Sequence, residues 1–141
     1  MSVYVDSSFL VSLYLTDIHS SEARRRVQGV ASLAITSLHR AEWAHALGQH
    51  QFRGNMTPEK AQQTHDQFLS DEADRLWRAV PLPENAFELC ADLARRYGSK
   101  FGMRTLDTLH VACALELKAQ RFWTFDERQA KLAKAQGLKI S

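Results

Sequence analysis

A chain of 141 residues, 45% hydrophobic and 24% charged, has the composition of one folded domain and is long enough to bury a core without disulfides or structural metals. No apolar run approaches the ~20 residues of a membrane span, and the start Met1-Ser2-Val3-Tyr4 has neither the basic nor the apolar region of a signal peptide, so a cytoplasmic protein is expected. The net charge of +2 is too mild to indicate a nucleic-acid binder by itself. Cys90 and Cys113 sit apart in apolar helical patterns and read as reduced core residues, not zinc ligands.

In chain order, Val3-Tyr4-Val5 reads as a strand, followed by helices over Ser7–Leu15 and Ile18–Gln28. Leu33-Ala34-Ile35 is a second strand, and Ser37 to about Phe52 a helix. Thr57-Pro58-Glu59 opens the next helix, with Pro at its first position. That helix runs to about Arg75, and Trp77–Leu82 is a third strand. Pro83 opens a helix that ends near Tyr97-Gly98, and Gly98–Gly102 reads as a loop. An apolar helix covers Met103 to Ala119, Arg121–Phe125 is a fourth strand, Asp126 starts a last helix, and Leu138–Ile140 is a short final strand. Strands alternating with helices imply parallel pairing through crossovers. The expected architecture is a single α/β domain over 1–141, a three-layer α/β/α sandwich around a parallel sheet of four or five strands. In such sheets the chemistry lies at the carboxyl ends of the strands.

Four acids fall where that rule directs attention. Asp6 follows the first strand and Asp126 the fourth; Glu42 lies in the helix after strand two, and Asp107 in the first turns of the apolar helix. Each has a plain structural explanation taken alone. Asp6 and Asp126 suit helix caps, and Asp126 with Gln129 resembles a capping box. Asp107 suits a helix N-terminus, and Glu42 an exposed helical surface. Against this, the Asp107 helix is apolar on nearly all sides, which marks it as buried. Glu42 borders a stripe of Leu38, Ala41, Ala44 and Gly48 whose small residues suit close packing, with the carboxylate at the rim. Four converging carboxylates repel unless a cation is bound. All-oxygen donors suit Mg²⁺ or Mn²⁺, and such an ion activates water and offsets charge in phosphodiester cleavage. A phosphotransfer receiver domain would want two adjacent acids after the first strand. A haloacid-dehalogenase phosphatase would want Asp-x-Asp there, and a mononucleotide fold a Gly-rich loop; none is present.

Together, Tyr4-Val5-Asp6-Ser7-Ser8, Thr36-Ser37-Leu38-His39-Arg40-Ala41-Glu42, Arg104-Thr105-Leu106-Asp107-Thr108-Leu109-His110-Val111-Ala112 and Thr124-Phe125-Asp126-Glu127-Arg128 resemble the PIN-domain family. The compact length is similar to its VapC toxin branch. The resemblance implies a Mg²⁺- or Mn²⁺-dependent endoribonuclease whose acidic quartet is Asp6, Glu42, Asp107 and Asp126. Thr124 matches a supporting hydroxyl, and Ser8 is a weaker match. It further implies an RNA substrate, a homodimer and inhibition by a cognate VapB antitoxin. A non-cutting PIN-like scaffold, or a processing nuclease without an antitoxin, is the alternative.

Other conspicuous residues have readings of their own. His39, His45 and His110 read as surface or packing residues before any catalytic role. Trp43 and Leu47 read as core against the next helix or as an interface, and Trp77 as core. Arg24-Arg25-Arg26, and Arg95-Arg96 with Lys100 and Arg104, are either solvated helix faces or contacts to RNA phosphates.

Overall fold

The computed structural model describes residues 2–141 and divides into two compact units, Met1–Asp6 with Pro81–Ser141, and Ser7–Val80. Each unit contains one parallel pair of strands, so the sheet expected from the sequence is seen as two parallel pairs. No described helix is long and apolar enough to cross a membrane.

In the first unit, β1 (Val3–Val5) pairs in parallel with β4 (Arg121–Trp123), in the register Val3↔Arg121, Tyr4↔Phe122 and Val5↔Trp123. Every residue of β1 is buried, as a parallel strand covered on both faces requires. Tyr4 stacks on Phe122 with ring centroids 5.6 Å apart. The ladder gains one more bond, from the Asp6 amide to the Trp123 carbonyl at 3.2 Å. Asp6 and Thr124 are therefore the first residues beyond the paired carboxyl ends. The expected final strand is only a bridge, Arg121↔Lys139.

Three helices complete this unit: α5 (Ala86–Phe101), α6 (Thr105–Glu116) and α7 (Glu127–Ala135). The loop expected over Gly98–Gly102 is instead helical as far as Phe101. Gly98 costs a helix only about 1 kcal/mol relative to Ala. Tyr97 and Phe101, one turn apart, stack with centroids 5.8 Å apart and support that last turn. The stop comes at Gly102, whose left-handed backbone (φ 68°) lets its amide reach the Gly98 carbonyl at 2.9 Å. Helix α5 also starts three residues later than Pro83, which instead accepts a turn bond from the Ala86 amide. Helix α6 is shorter than its apolar pattern suggested, and Thr108 through Ala114 are buried without interruption. At roughly 1.5–3 kcal/mol for each large apolar side chain buried, this packing dominates the placement of the helix.

The second unit holds α1 (Ser7–Tyr14), α2 (Ser20–Val27), β2 (Leu33–Ile35), α3 (Ser37–Phe52), α4 (Pro58–Ala73) and β3 (Trp77–Ala79). Strands β2 and β3 pair in parallel from Leu33↔Trp77 to Ile35↔Ala79. After Val80 donates to Ile35 the ladder stops short of Leu82, because Pro81 has no amide to continue it. The core is aromatic. Trp43 stacks on Phe68 at 5.0 Å, and Tyr14 meets Trp43 edge-on at 5.2 Å. Buried indoles need acceptors: Trp43 Nε1 donates to His65 Nδ1 at 3.1 Å and Trp77 Nε1 to the Tyr14 hydroxyl at 2.6 Å. Tyr14 in turn donates to Asp71 at 2.6 Å. Burial and the Asp71 carboxylate push the Tyr14 hydroxyl well up, keeping it a donor.

Helix α3 corrects the sequence reading of its faces. Its packed side is His39, Trp43 and Leu47, all buried. The small-residue stripe is the outer side in this unit: Ala41, Ala44 and Gly48 are exposed and Leu38 half-buried. Large aromatic area outweighs small-residue packing when a helix chooses the face it buries. Trp43, Leu47 and Trp77 are thus core residues.

Candidate active site

The carboxyl ends of β1 and β4 create the first part of the site. Asp6 is buried, at 4% exposure. Its Oδ2 lies 3.0 Å from the Thr124 hydroxyl, and that hydroxyl oxygen accepts the Asp126 amide, also at 3.0 Å. One threonine therefore joins two acids that follow two different strands. Asp126 is the N-cap of α7: its Oδ1 accepts the Gln129 amide at 2.9 Å. The capping expectation is met only on that side. The Gln129 side chain does not return to the cap but is buried, accepting from Thr124 at 2.8 Å and donating to the Asp107 carbonyl at 3.0 Å.

Asp107 occupies the first turn of α6, with its side chain 27% exposed. Its Oδ2 is 3.4 Å from the Arg104 amide and 3.9 Å from the Arg104 guanidinium, which is itself 88% exposed. A guanidinium offers no acceptor, so this is half a capping box: an acid stabilised at a helix N-terminus. Arg128, exposed, reaches the Gly102 carbonyl at 3.3 Å. This unit thus places Asp6, Thr124, Asp126 and, through Gln129, the backbone of Asp107 in one bonded network.

Glu42 belongs to the other unit, half-buried on α3. Its Oε1 accepts the hydroxyl of Ser7 at 2.8 Å, and Ser7 follows Asp6 directly in the chain. The start of α3 is fixed by Thr36 and His39, both buried: His39 Nδ1 lies 3.0 Å from the Thr36 amide and 2.9 Å from its hydroxyl. His39 is therefore a capping residue. His110 is a buried partner of the Tyr4 hydroxyl at 2.7 Å, and His45 is exposed.

The donor set is all oxygen, carboxylate and hydroxyl, as a hard cation prefers. Among the described residues no three His, Cys, Asp or Glu side chains stand together as a closed metal cage. A closed cage is not what Mg²⁺ requires, since it keeps several waters and takes one or two carboxylates. Buried Asp6, bonded to Thr124, fits that role. Gln129 and Ser7 are the residues whose part the sequence did not disclose. For Gln129 the available signal was its place three residues after Asp126, which also describes an ordinary cap.

A family profile described as the PIN domain matches residues 3–135. No curated protein matches the sequence. Among solved structures, VapBC2 from Rickettsia felis, bound to a DNA fragment from its promoter, superposes with a TM-score of 0.72 at 18% identity, covering 100% of this chain and 98% of that one. The Mycobacterium tuberculosis toxin VapC20, which cleaves the sarcin–ricin loop, gives 0.70 at 16% identity with 99% and 98% covered. FitAcB from Neisseria gonorrhoeae gives 0.71 at 14% identity with 98% and 95% covered. With a family match across nearly its whole length and the same fold in each of these structures, the chain belongs to the PIN-domain family.

Proposed function

We propose that this protein is a divalent-metal-dependent endoribonuclease that acts as the toxin of a toxin–antitoxin pair. The observation that carries the proposal is the Thr124 hydroxyl between Asp6 Oδ2 and the Asp126 amide, beyond the ends of two parallel strands. The proposed ligands of Mg²⁺ or Mn²⁺ are Asp6, Glu42, Asp107 and Asp126. When bound, the ion would activate water and offset charge on the phosphoryl group. The chain's own contribution is orientation: Thr124 aims Asp6, the α7 N-terminus fixes Asp126, and Ser7 holds Glu42. The similarity to VapC20, a toxin that cleaves the sarcin–ricin loop, and to the VapBC2 complex supports an RNA substrate and a VapB-like antitoxin partner. A homodimer is proposed on the family resemblance.

The test is cleavage of total RNA by purified, antitoxin-free protein with Mg²⁺ or Mn²⁺, with EDTA, and with Asp6→Asn and Asp107→Asn. Both variants are expected to fold and to lose about 10²-fold or more in rate, the scale of several kcal/mol of lost charge stabilisation. EDTA should abolish cleavage. A fully active Asp6→Asn protein would refute the metal assignment. A second reading is a PIN-like scaffold that binds RNA or protein without cutting. Folded protein that binds RNA but cuts none with any divalent ion would select it. A processing nuclease without an antitoxin would cut but lack an adjacent short antitoxin reading frame.

A further inference from the structure

We infer that Gln129 is a positioning residue for the carboxylates: its buried side-chain amide sets the Thr124 hydroxyl and anchors the start of α6, and so determines how well the site takes a divalent cation. This deepens the metal-nuclease reading and rests on it. Gln129 lies in the first turn of α7 and is fully buried. Its Nε2 donates to the Asp107 carbonyl at 3.0 Å. A carbonyl only accepts, so the amide cannot turn over without setting oxygen against oxygen. That fixes Oε1 toward the Thr124 hydroxyl at 2.8 Å.

The hydroxyl has one proton for two acceptors, Gln129 Oε1 at 2.8 Å and Asp6 Oδ2 at 3.0 Å, while its oxygen also accepts the Asp126 amide. By accepting from the same hydroxyl that bonds Asp6 Oδ2, Gln129 fixes the Thr124 side chain and, through it, where the Asp6 carboxylate points. The Gln129 backbone amide meanwhile holds Asp126 Oδ1 at 2.9 Å. One residue thus touches Asp126 directly, Asp6 through Thr124, and Asp107 through its backbone. The side chain itself bridges Thr124 and the Asp107 main chain, and it is this bridge, not the main-chain bond to Asp126, that a substitution at Gln129 removes. Groups that orient metal-binding carboxylates in this way commonly change metal affinity by about 10–100-fold when removed.

The test uses Gln129→Met, which keeps length and apolar volume, and Gln129→Asn, which keeps the amide on a side chain too short to span both partners. Titration of Mn²⁺ alone, followed calorimetrically, is expected to show about 10-fold or greater loss of affinity in both variants. Amide hydrogen exchange of the metal-free proteins should show faster exchange at Asp126, whose amide bonds to Thr124 Oγ1. Folded variants with wild-type Mn²⁺ affinity and unchanged Asp126 exchange would overturn the inference. Loss of fold in both would do so as well, because the role would then be structural. Wild-type protein that binds no Mn²⁺ would instead refute the metal reading; Gln129's hold on Thr124 would then stand or fall by the exchange result.

Discussion

Single side chains here are defined by what they can no longer reach. Cys113 is buried on α6, and desolvation pushes its thiol up to about 11; burial raises Cys90 as well. The thiolate is the reactive form, so Cys113 is expected to resist a disulfide-exchange reagent at pH 8 in folded protein and to react fully in denaturant. Rapid reaction of Cys113 in the native state would contradict its placement. Tyr14 illustrates the same effect in the other unit, where burial and Asp71 keep the hydroxyl protonated and fix its bond to the acid.

Elements in this protein are begun and ended by short polar networks. The turn between α1 and α2 depends on Asp17, which accepts the Ser12 hydroxyl at 2.7 Å and the His19 amide at 2.8 Å. Desolvation opposes its ionisation, but bonds from Ser12, the His19 backbone and Ser20 outweigh it and hold the carboxyl below its ordinary value of 3.8. A carboxyl depressed by folding contributes stability above its unfolded pKa and loses it as pH falls through the folded one. The melting temperature of the wild type should therefore fall below about pH 4 more steeply than that of Asp17→Asn. Parallel curves for the two proteins would remove Asp17 from the acid sensitivity. Most element types were legible at this scale, because β-branched triplets and apolar helical periods carry their own signal. The end of α5 was not. Gly98 and Gly102 look alike in sequence, but the helix passes the first, with the ring stack of Tyr97 on Phe101 supporting its last turn, and stops at the second, whose backbone is left-handed.

Across the whole molecule the net charge is +2, so any RNA affinity must come from local clusters. Several of these arginines already have partners. Arg25 and Arg26 pair with Glu22, and Arg95 and Arg96 with Asp92 at 3.9 and 2.8 Å. Arg25, Arg95 and Arg96 are solvent-exposed and Arg26 half-buried; exposed pairs are worth little to stability, so they leave those arginines able to exchange toward phosphate. Replacing Arg95 and Arg96 with Ala is expected to weaken RNA binding and lower the salt slope by roughly 0.7 per lost phosphate contact on a single strand. Binding with an unchanged slope would return the cluster to a solvated helix face.

The sequence by itself determined the kinds of element, their order, their parallel pairing and the family. These follow from local periodicity and from motifs whose spacing survives without knowledge of any partner. It also singled out Asp6 and Asp126, because strand ends in a parallel fold are predictable positions, and Thr124 through the family resemblance alone. Tertiary structure alone decided which face of α3 is buried, since that choice compares the area of Trp43 and Leu47 with a small-residue stripe. It likewise decided that Gln129 turns inward to Thr124 and Asp107 rather than back to its cap. A side chain with two competing sets of partners is assigned by the surroundings that bury it, and those surroundings come from residues distant in the chain.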